Sequence, residues 1–257
     1  MNVVVLTKWV PEPEGTPKLG DDGLLVREGA DGALDPGDEY GLEAALQLVE
    51  AAGGDGEITL LTMGPEVAQA ALQRGLAMGA HKGVRITDES LRGADSLVTA
   101  RVLAAAIKRQ PFDLVVGGVE STDGYTGIVP AAIAEFLAVP SLTFARELHF
   151  SDDTLTIERQ TAAGYDVVLA PLPVVITVTA GATEPRYPSL KGVMAAKSKP
   201  VETLSVADLG LSSDDVAATQ NVAEVTDAPP KQGGETVEYD DTTAARIADL
   251  LVEAKVI

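Results

Sequence analysis

Short apolar runs alternate with longer amphipathic segments through the first half of the chain, an order that predicts strands followed by helices. Four β-branched runs have the length and composition of buried strands, at residues 3–6, 58–62, 84–87 and 111–117. Four segments repeat apolar side chains at helical spacing, at residues 39–52, 65–78, 96–110 and 127–137. Strand–helix alternation implies right-handed crossovers. We therefore expect an α/β fold with a Rossmann-like parallel sheet and helices on both faces.

The boundaries of these segments carry helix-capping and turn residues. Asp38 is expected to cap the helix at 39–52, and Gly79 to end the helix at 65–78. The stretch 12–38 is rich in Gly, Pro and Asp and includes a possible short hairpin strand at 24–26.

The pattern changes after Pro140. Four β segments predict an antiparallel extension of the sheet, at residues 142–150, 154–161, 165–169 and 173–179. Residues 208–235 are rich in Asp, Ser, Thr, Pro and Gly, and one amphipathic helix follows at 243–254. We expect an α/β domain over residues 1–199 and a C-terminal arm over residues 200–257 that wraps on the body or on another subunit.

Composition excludes several kinds of protein. A net charge of −20 argues against nucleic-acid binding, which needs a basic surface. Cysteine is absent and the two histidines stand far apart, so thiolate chemistry is excluded and neither a metal site nor a catalytic triad is expected. No apolar run approaches 18 residues and the N-terminus carries no signal-peptide pattern, so we expect a cytoplasmic protein without membrane insertion.

Three loops follow predicted parallel strands, the position at which such sheets bind ligands. They are Thr7-Lys8, Thr62-Met-Gly-Pro65 and Gly117-Gly-Val-Glu-Ser-Thr-Asp-Gly-Tyr-Thr-Gly127. The third has four glycines and three hydroxyl side chains before a helix, which suits a phosphate bound by backbone amides. Asp123 would repel a phosphate, so a capping or sugar-hydroxyl role suits it better. Neither a P-loop nor a Gly-x-Gly-x-x-Gly motif occurs, and a glycine-rich turn required only by geometry is the alternative.

Residues 184–200 combine an apolar tip with basic flanks. Tyr187 and Leu190 stand among prolines and a glycine, and the segment has four basic residues against one acidic residue. A residue to bury and charges to steer are what a protein-docking loop needs. An ordinary connection between a strand and a helix is the alternative interpretation.

Four segments together resemble the β subunit of electron-transfer flavoproteins, over nearly the whole chain. They are Val3-Val-Val-Leu-Thr-Lys-Trp-Val-Pro11, Asp35-Pro-Gly-Asp-Glu-Tyr-Gly-Leu-Glu-Ala-Ala45, the glycine-rich loop, and Glu184-Pro-Arg-Tyr-Pro-Ser-Leu-Lys-Gly-Val-Met-Ala-Ala-Lys197. The last is the most specific. The glycine-rich loop is shorter than the family's usual form, and Asp35 replaces a common Asn.

The resemblance implies an electron carrier rather than an enzyme, with an adenine-nucleotide α-hydrolase-like fold. An α subunit would hold the redox-active FAD, and this chain would hold a structural AMP. Electrons would come from flavin dehydrogenases, such as acyl-CoA dehydrogenases, and leave toward a membrane quinone oxidoreductase. The arm after residue 200 would embrace the α subunit.

The resemblance also implies positions for the two functional surfaces. The AMP site would be lined by Leu6, Asp35, Pro36, Gly37, Asp38, Met63, Asp123, Gly124, Tyr125, Thr126 and Gly127. Partner docking would use Tyr187, Leu190, Lys191 and Met194, with Leu190 as the anchor. Two alternatives stay open: a bifurcating β subunit that holds a second FAD in place of AMP, and a stand-alone ATP-binding or ATP-hydrolysing protein.

Overall fold

The computed structural model describes residues 1–12, 18–27, 29–226, 229, 234, 236 and 238–256. These residues form eleven strands: β1 (Asn2–Leu6), β2 (Trp9–Pro11), β3 (Gly32–Leu34), β4 (Glu57–Met63), β5 (Lys82–Ile86), β6 (Leu114–Gly118), β7 (Ser141–Ser151), β8 (Thr154–Thr161), β9 (Gly164–Pro171), β10 (Val174–Val178) and β11 (Val201–Leu204). Their helices are α1 (Pro36–Ala51), α2 (Gln69–Met78), α3 (Ser96–Ile107), α4 (Val129–Leu137), α5 (Leu190–Ala196) and α6 (Thr243–Glu253).

Nine of these strands form one sheet in the order β11-β5-β4-β1-β6-β10-β7-β8-β9. Every neighbouring pair from β11 to β7 is parallel, and the pairs β7–β8 and β8–β9 are antiparallel. β2 and β3 form a separate antiparallel ladder. The predicted α/β fold with a parallel sheet and an antiparallel extension is therefore confirmed.

Helices cover both faces of the sheet, because successive residues of each buried strand point to opposite sides. Val3 and Val5 of β1 pack with α1 and α2 in one hydrophobic cluster. Val4 and Leu6 of the same strand pack with α3 and α4 in the other. Both faces of the central strands are thus dry, and only their ends are open to a ligand.

The assignment of residues 173–179 to the antiparallel extension is wrong. β10 (Val174–Val178) lies between β6 and β7 and is parallel to both. All five of its residues are buried, as expected of a central parallel strand with helices on both sides. The continuous apolar run, without alternation, was the signal for this position.

The helix cap was also placed wrongly. Asp35, not Asp38, is the N-cap of α1, and its side chain accepts a hydrogen bond from the Gly37 amide. Pro36 occupies the first turn, where its missing N–H costs nothing. Asp38 lies inside the first turn instead.

The chain divides into two compact units, Met1–Ala223 and Glu224–Ile257. The first extends beyond the expected boundary at residue 200, because β11 pairs with β5 and Leu204, Val206 and Val216 are buried in the core. β11 is a short edge strand with exposed polar residues, so its sequence pattern is weak. The second unit contains α6, whose bounds nearly coincide with those of the helix predicted at residues 243–254.

Parts of the two loop regions singled out in the sequence, 12–38 and 208–235, lie outside the described residues. The predicted hairpin at 24–26 is present as an antiparallel bridge between Leu19 and Leu25. None of the described helices is long and apolar enough to cross a bilayer.

Candidate functional site

The candidate nucleotide site lies at the carboxyl edge of the sheet, where the direction of strand addition reverses. β1 pairs with β4 on one side and with β6 on the other. The chain adds β4 and β5 on the first side before it returns to add β6 on the second. Ligands of open parallel sheets bind in the crevice at such a switch point. The loops after β1 and β6 and the start of α1 therefore frame the site.

The start of α1 packs closely on the end of β6. A Cβ atom at Gly118 would lie 3.1 Å from the Gly37 carbonyl carbon and 3.2 Å from Asp38 Oδ1. On the other face of the sheet, a Cβ atom at Gly117 would lie 3.2 Å from Leu6 Cδ1. A Cβ atom at either glycine would therefore force its neighbours to shift by a few tenths of an ångström, and the bare backbone also lets a ligand approach.

Asp35 connects the start of α1 to the loop after β6. Its Oδ1 accepts a hydrogen bond from the Gly37 amide at 2.8 Å. Its Oδ2 accepts two from Thr122, from the amide at 2.7 Å and from the hydroxyl at 2.9 Å. The carboxylate is buried, so these bonds are shielded from competing water. Asp35 thus fixes the 119–127 segment against the helix.

Asp38 is a buried carboxyl group that connects α1 to the first strand loop. Its Oδ2 accepts a hydrogen bond from the Lys8 amide at 2.7 Å. Burial raises its pKa well above the ordinary value, and the negative charge of Asp35 raises it further. Hydrogen bonds from the backbone amides of Lys8 and Gly118 lower the pKa but do not offset the rise.

Asp123 lies between two cations. Lys8 Nζ donates to its Oδ1 and Arg27 Nη2 donates to its Oδ2, each at 2.5 Å. Burial alone would raise the pKa of this carboxyl, but the charge of Lys8 and the hydrogen bonds from Lys8 and Arg27 outweigh it, and the pKa is lowered. Asp123 is therefore a charged anchor for two basic side chains.

The rest of the loop after β6 is open to solvent and offers amide donors. Gly124, Tyr125, Thr126 and Gly127 are all exposed. The Tyr125 amide donates to the Ser121 carbonyl at 2.9 Å. The amides of Thr126, Gly127 and Ile128 make no hydrogen bond to the described residues. These amides lie just before α4 and could bind an anion.

Leu6 and Met63 are apolar residues at the carboxyl ends of β1 and β4. Leu6 is buried at the end of β1, and half-buried Met63 at the end of β4 packs on the same cluster. The neighbouring Thr62 hydroxyl is buried without a partner among the described residues. Pro36, by contrast, is exposed at the start of α1.

The structure connects several of the predicted site residues to others that lie in the predicted loops but were not assigned to the AMP site. Ser121 accepts a hydrogen bond from Lys8 Nζ at 3.1 Å, and Thr122 bonds Asp35. Lys8 belongs to the Thr7-Lys8 loop, which the sequence singled out because it directly follows the first strand. Arg27 has no such signal, because it comes from a glycine-rich stretch far along the chain.

The predicted docking segment contains α5, which presents an apolar surface. The Ser189 hydroxyl caps this helix by accepting a hydrogen bond from the Gly192 amide at 3.0 Å. The 187–194 patch consists of Tyr187, Leu190, Val193 and Met194, all exposed, and Lys191 is exposed beside it. The largest exposed fractions are 89% for Tyr187, 79% for Leu190 and 67% for Met194.

Two of the four basic residues in this segment form hydrogen bonds within the chain and are not free to attract a partner protein. Arg186 donates to the carboxylates of Glu43 and Glu50 on α1, at 2.7 to 3.2 Å. Lys199 Nζ donates to the carbonyls of Leu76 and Ala80, at 2.8 and 2.6 Å. The basic flank expected from the sequence is therefore reduced to Lys191 and Lys197, and the patch has firm anchors on α1 and α2.

Comparison with known proteins gives a consistent result. Residues 22–209 match the family model described as "Electron transfer flavoprotein domain". The whole chain is 42% identical to "Electron transfer flavoprotein subunit beta" of Mycobacterium tuberculosis (strain ATCC 25618 / H37Rv), 99% of which is covered. It is 35% identical to the protein of the same name from Bacillus subtilis (strain 168), with both chains fully covered. The one from Megasphaera elsdenii is 33% identical, with 98% of this chain and 97% of the relative covered.

The burial of Asp38 predicts how the stability of the fold depends on pH. A carboxyl with a raised pKa in the folded state stabilises the fold below its unfolded pKa, and this contribution is lost as pH rises through the raised pKa. The free energy of unfolding of the parent should therefore fall relative to that of Asp38→Asn as pH rises from about 4, the unfolded pKa of Asp, through neutral pH. Chemical denaturation of both proteins across this range measures the difference.

Asp88→Asn is the control for this measurement, because hydrogen bonds from Ser90 lower the pKa of the Asp88 carboxyl. Its contribution is present above the unfolded pKa and is lost only as pH falls below it, so the difference between the parent and Asp88→Asn should stay nearly constant above about pH 5. A constant stability difference between the parent and Asp38→Asn would contradict the assignment.

Proposed function

Since the chain belongs to the electron transfer flavoprotein family, we propose that it is a β subunit that holds AMP in the crevice between β1 and β6 and docks a flavin dehydrogenase through the 187–194 patch. Its general role is electron transfer, as the family and its relatives indicate. The finer role is a carrier subunit that performs no chemistry of its own. An α subunit holds the FAD, and electrons leave toward a membrane quinone oxidoreductase.

The observation that carries the AMP assignment is the arrangement of donors at the switch point. The amides of Thr126, Gly127 and Ile128 have no partner among the described residues and lie before α4, where a phosphate is favoured. The close approach of Gly118 to α1 keeps this edge narrow. A nucleotide bound here would contribute stability, because it would connect the loop to the sheet.

The 187–194 patch supports the docking role. Leu190 and Met194 lie one helical turn apart on α5, so their side chains share one face. This face is exposed, although burial of large apolar side chains is normally favourable. Arg186 and Lys199 hold the two ends of the segment, so a partner would meet a preformed surface.

Two further apolar surfaces suit an α subunit. Tyr165, Val167 and Leu169 alternate along the edge strand β9 and are exposed on one face of the sheet. Ile247 and Leu250 form an exposed stripe on α6 of the second unit. A subunit that buries such surfaces would make the extensive apolar interface typical of permanent complexes.

The nucleotide content of the complex tests this proposal. The chain is co-expressed with its α subunit, and the purified complex is denatured so that released nucleotides can be quantified. We expect one FAD and one AMP per heterodimer. Two FAD and no AMP would replace the proposal with the bifurcating alternative. A chain that purifies without a flavoprotein partner and hydrolyses ATP would support the stand-alone alternative instead.

Leu190→Ala tests the docking role separately. An anchor residue contributes about 2 kcal/mol or more to binding, so the substitution should weaken dehydrogenase binding about thirty-fold or more. Flavin reduction at limiting dehydrogenase concentration measures the loss, while AMP content should not change. Leu97→Ala is the matched control, because Leu97 is an exposed leucine on α3. Equal reduction rates for both variants and the parent would exclude the anchor role.

A further inference from the structure

Residues 18–27 form a hairpin, called here the 18–27 hairpin. Leu19 and Leu25 form an antiparallel bridge. The Val26 amide donates to the Lys18 carbonyl at 2.9 Å, and the Gly20 amide donates to the Leu24 carbonyl at 2.8 Å. The segment is therefore a locally ordered element that can hold a side chain in a fixed place.

This hairpin crosses the carboxyl edge of the sheet. At one end Arg27 pairs with Asp123, in the loop after β6. At the other end Asp22 pairs with Arg92, which lies beyond the end of β5, at 2.5 Å. β4 and β1 lie between β5 and β6 in the sheet. The 18–27 hairpin therefore bridges the segments after β5 and β6, whose strands flank β4 and β1 in the sheet.

Asp123 carries one negative charge and pairs with two positively charged side chains, Lys8 and Arg27. The Asp123 side chain is 5% exposed, whereas those of Lys8 and Arg27 are 38% and 31% exposed. The guanidinium of Arg27 makes only one hydrogen bond to the described residues, which leaves most of its five N–H donors available. The group is therefore locally positive at a ligand-binding edge, although the chain carries a net charge of −20.

We propose that Arg27 and Lys8, together with the amides of residues 126–128, bind the phosphate of the nucleotide, with Asp123 orienting both cations, and that the 18–27 hairpin covers the bound ligand. This inference rests on the proposed function, in which the crevice holds an adenine nucleotide. A guanidinium with free donors binds phosphate oxygens in a forked geometry, and a lysine ammonium adds a point charge. Asp123 then supports phosphate binding through its neighbours and does not contact the nucleotide sugar.

The test is the preference for AMP over adenosine, which differ only in the phosphate. The complex with the α subunit is freed of its adenine nucleotide and titrated with each ligand by calorimetry. The parent should bind AMP more tightly than adenosine. Arg27→Gln should weaken AMP binding about ten-fold or more and leave adenosine binding unchanged, because it removes a charge-assisted hydrogen bond. Arg27→Lys should restore part of the preference.

Arg92→Gln is the matched control, because it removes the other ion pair of the hairpin without removing a cation from the site. It should keep the parent preference for AMP. The inference is overturned if Arg27→Gln keeps that preference, or if both variants lose it equally. A parent complex that binds AMP and adenosine equally also overturns it while the nucleotide site stands. A parent complex that binds neither ligand overturns the AMP assignment itself.

Discussion

Two buried carboxyl groups at the start of α1 hold the functional edge of this protein together. Asp35 accepts hydrogen bonds from the helix and from Thr122, and Asp38 accepts one from the Lys8 amide. Each joins a loop at the carboxyl end of a central strand to the same helical turn. Burial of unpaired polar groups is costly, so these bonds define one arrangement of the three segments.

The same helix also holds the proposed docking segment. Glu43 and Glu50 of α1 bind Arg186, and the Tyr40 carbonyl accepts a hydrogen bond from the Thr183 hydroxyl at 3.1 Å. The candidate nucleotide site and the 187–194 patch are therefore both attached to α1. A nucleotide bound at the candidate site would thus help to fix the 187–194 patch for a partner, without any chemistry in this subunit.

Local patterns were sufficient for the parallel sheet, because buried strands and amphipathic helices have distinct periods. At residues 173–179 they indicated a buried strand but not its neighbours, because its place in the sheet depends on long-range pairing with β6 and β7. They also missed Arg27, which reaches Asp123 across 96 residues of sequence. A contact of this length leaves no local signal, whereas the exposed Leu190 was evident from the prolines and charges around it.

The most direct measurement is the AMP content of the α–β complex that carries Asp35→Ala. Alanine removes both the cap of α1 and the oxygen that binds Thr122. The account predicts the FAD content of the parent with little AMP. Asp95→Ala is the control, because Asp95 likewise caps α3 and binds Thr219; it should retain AMP. Full AMP occupancy in Asp35→Ala would contradict the account.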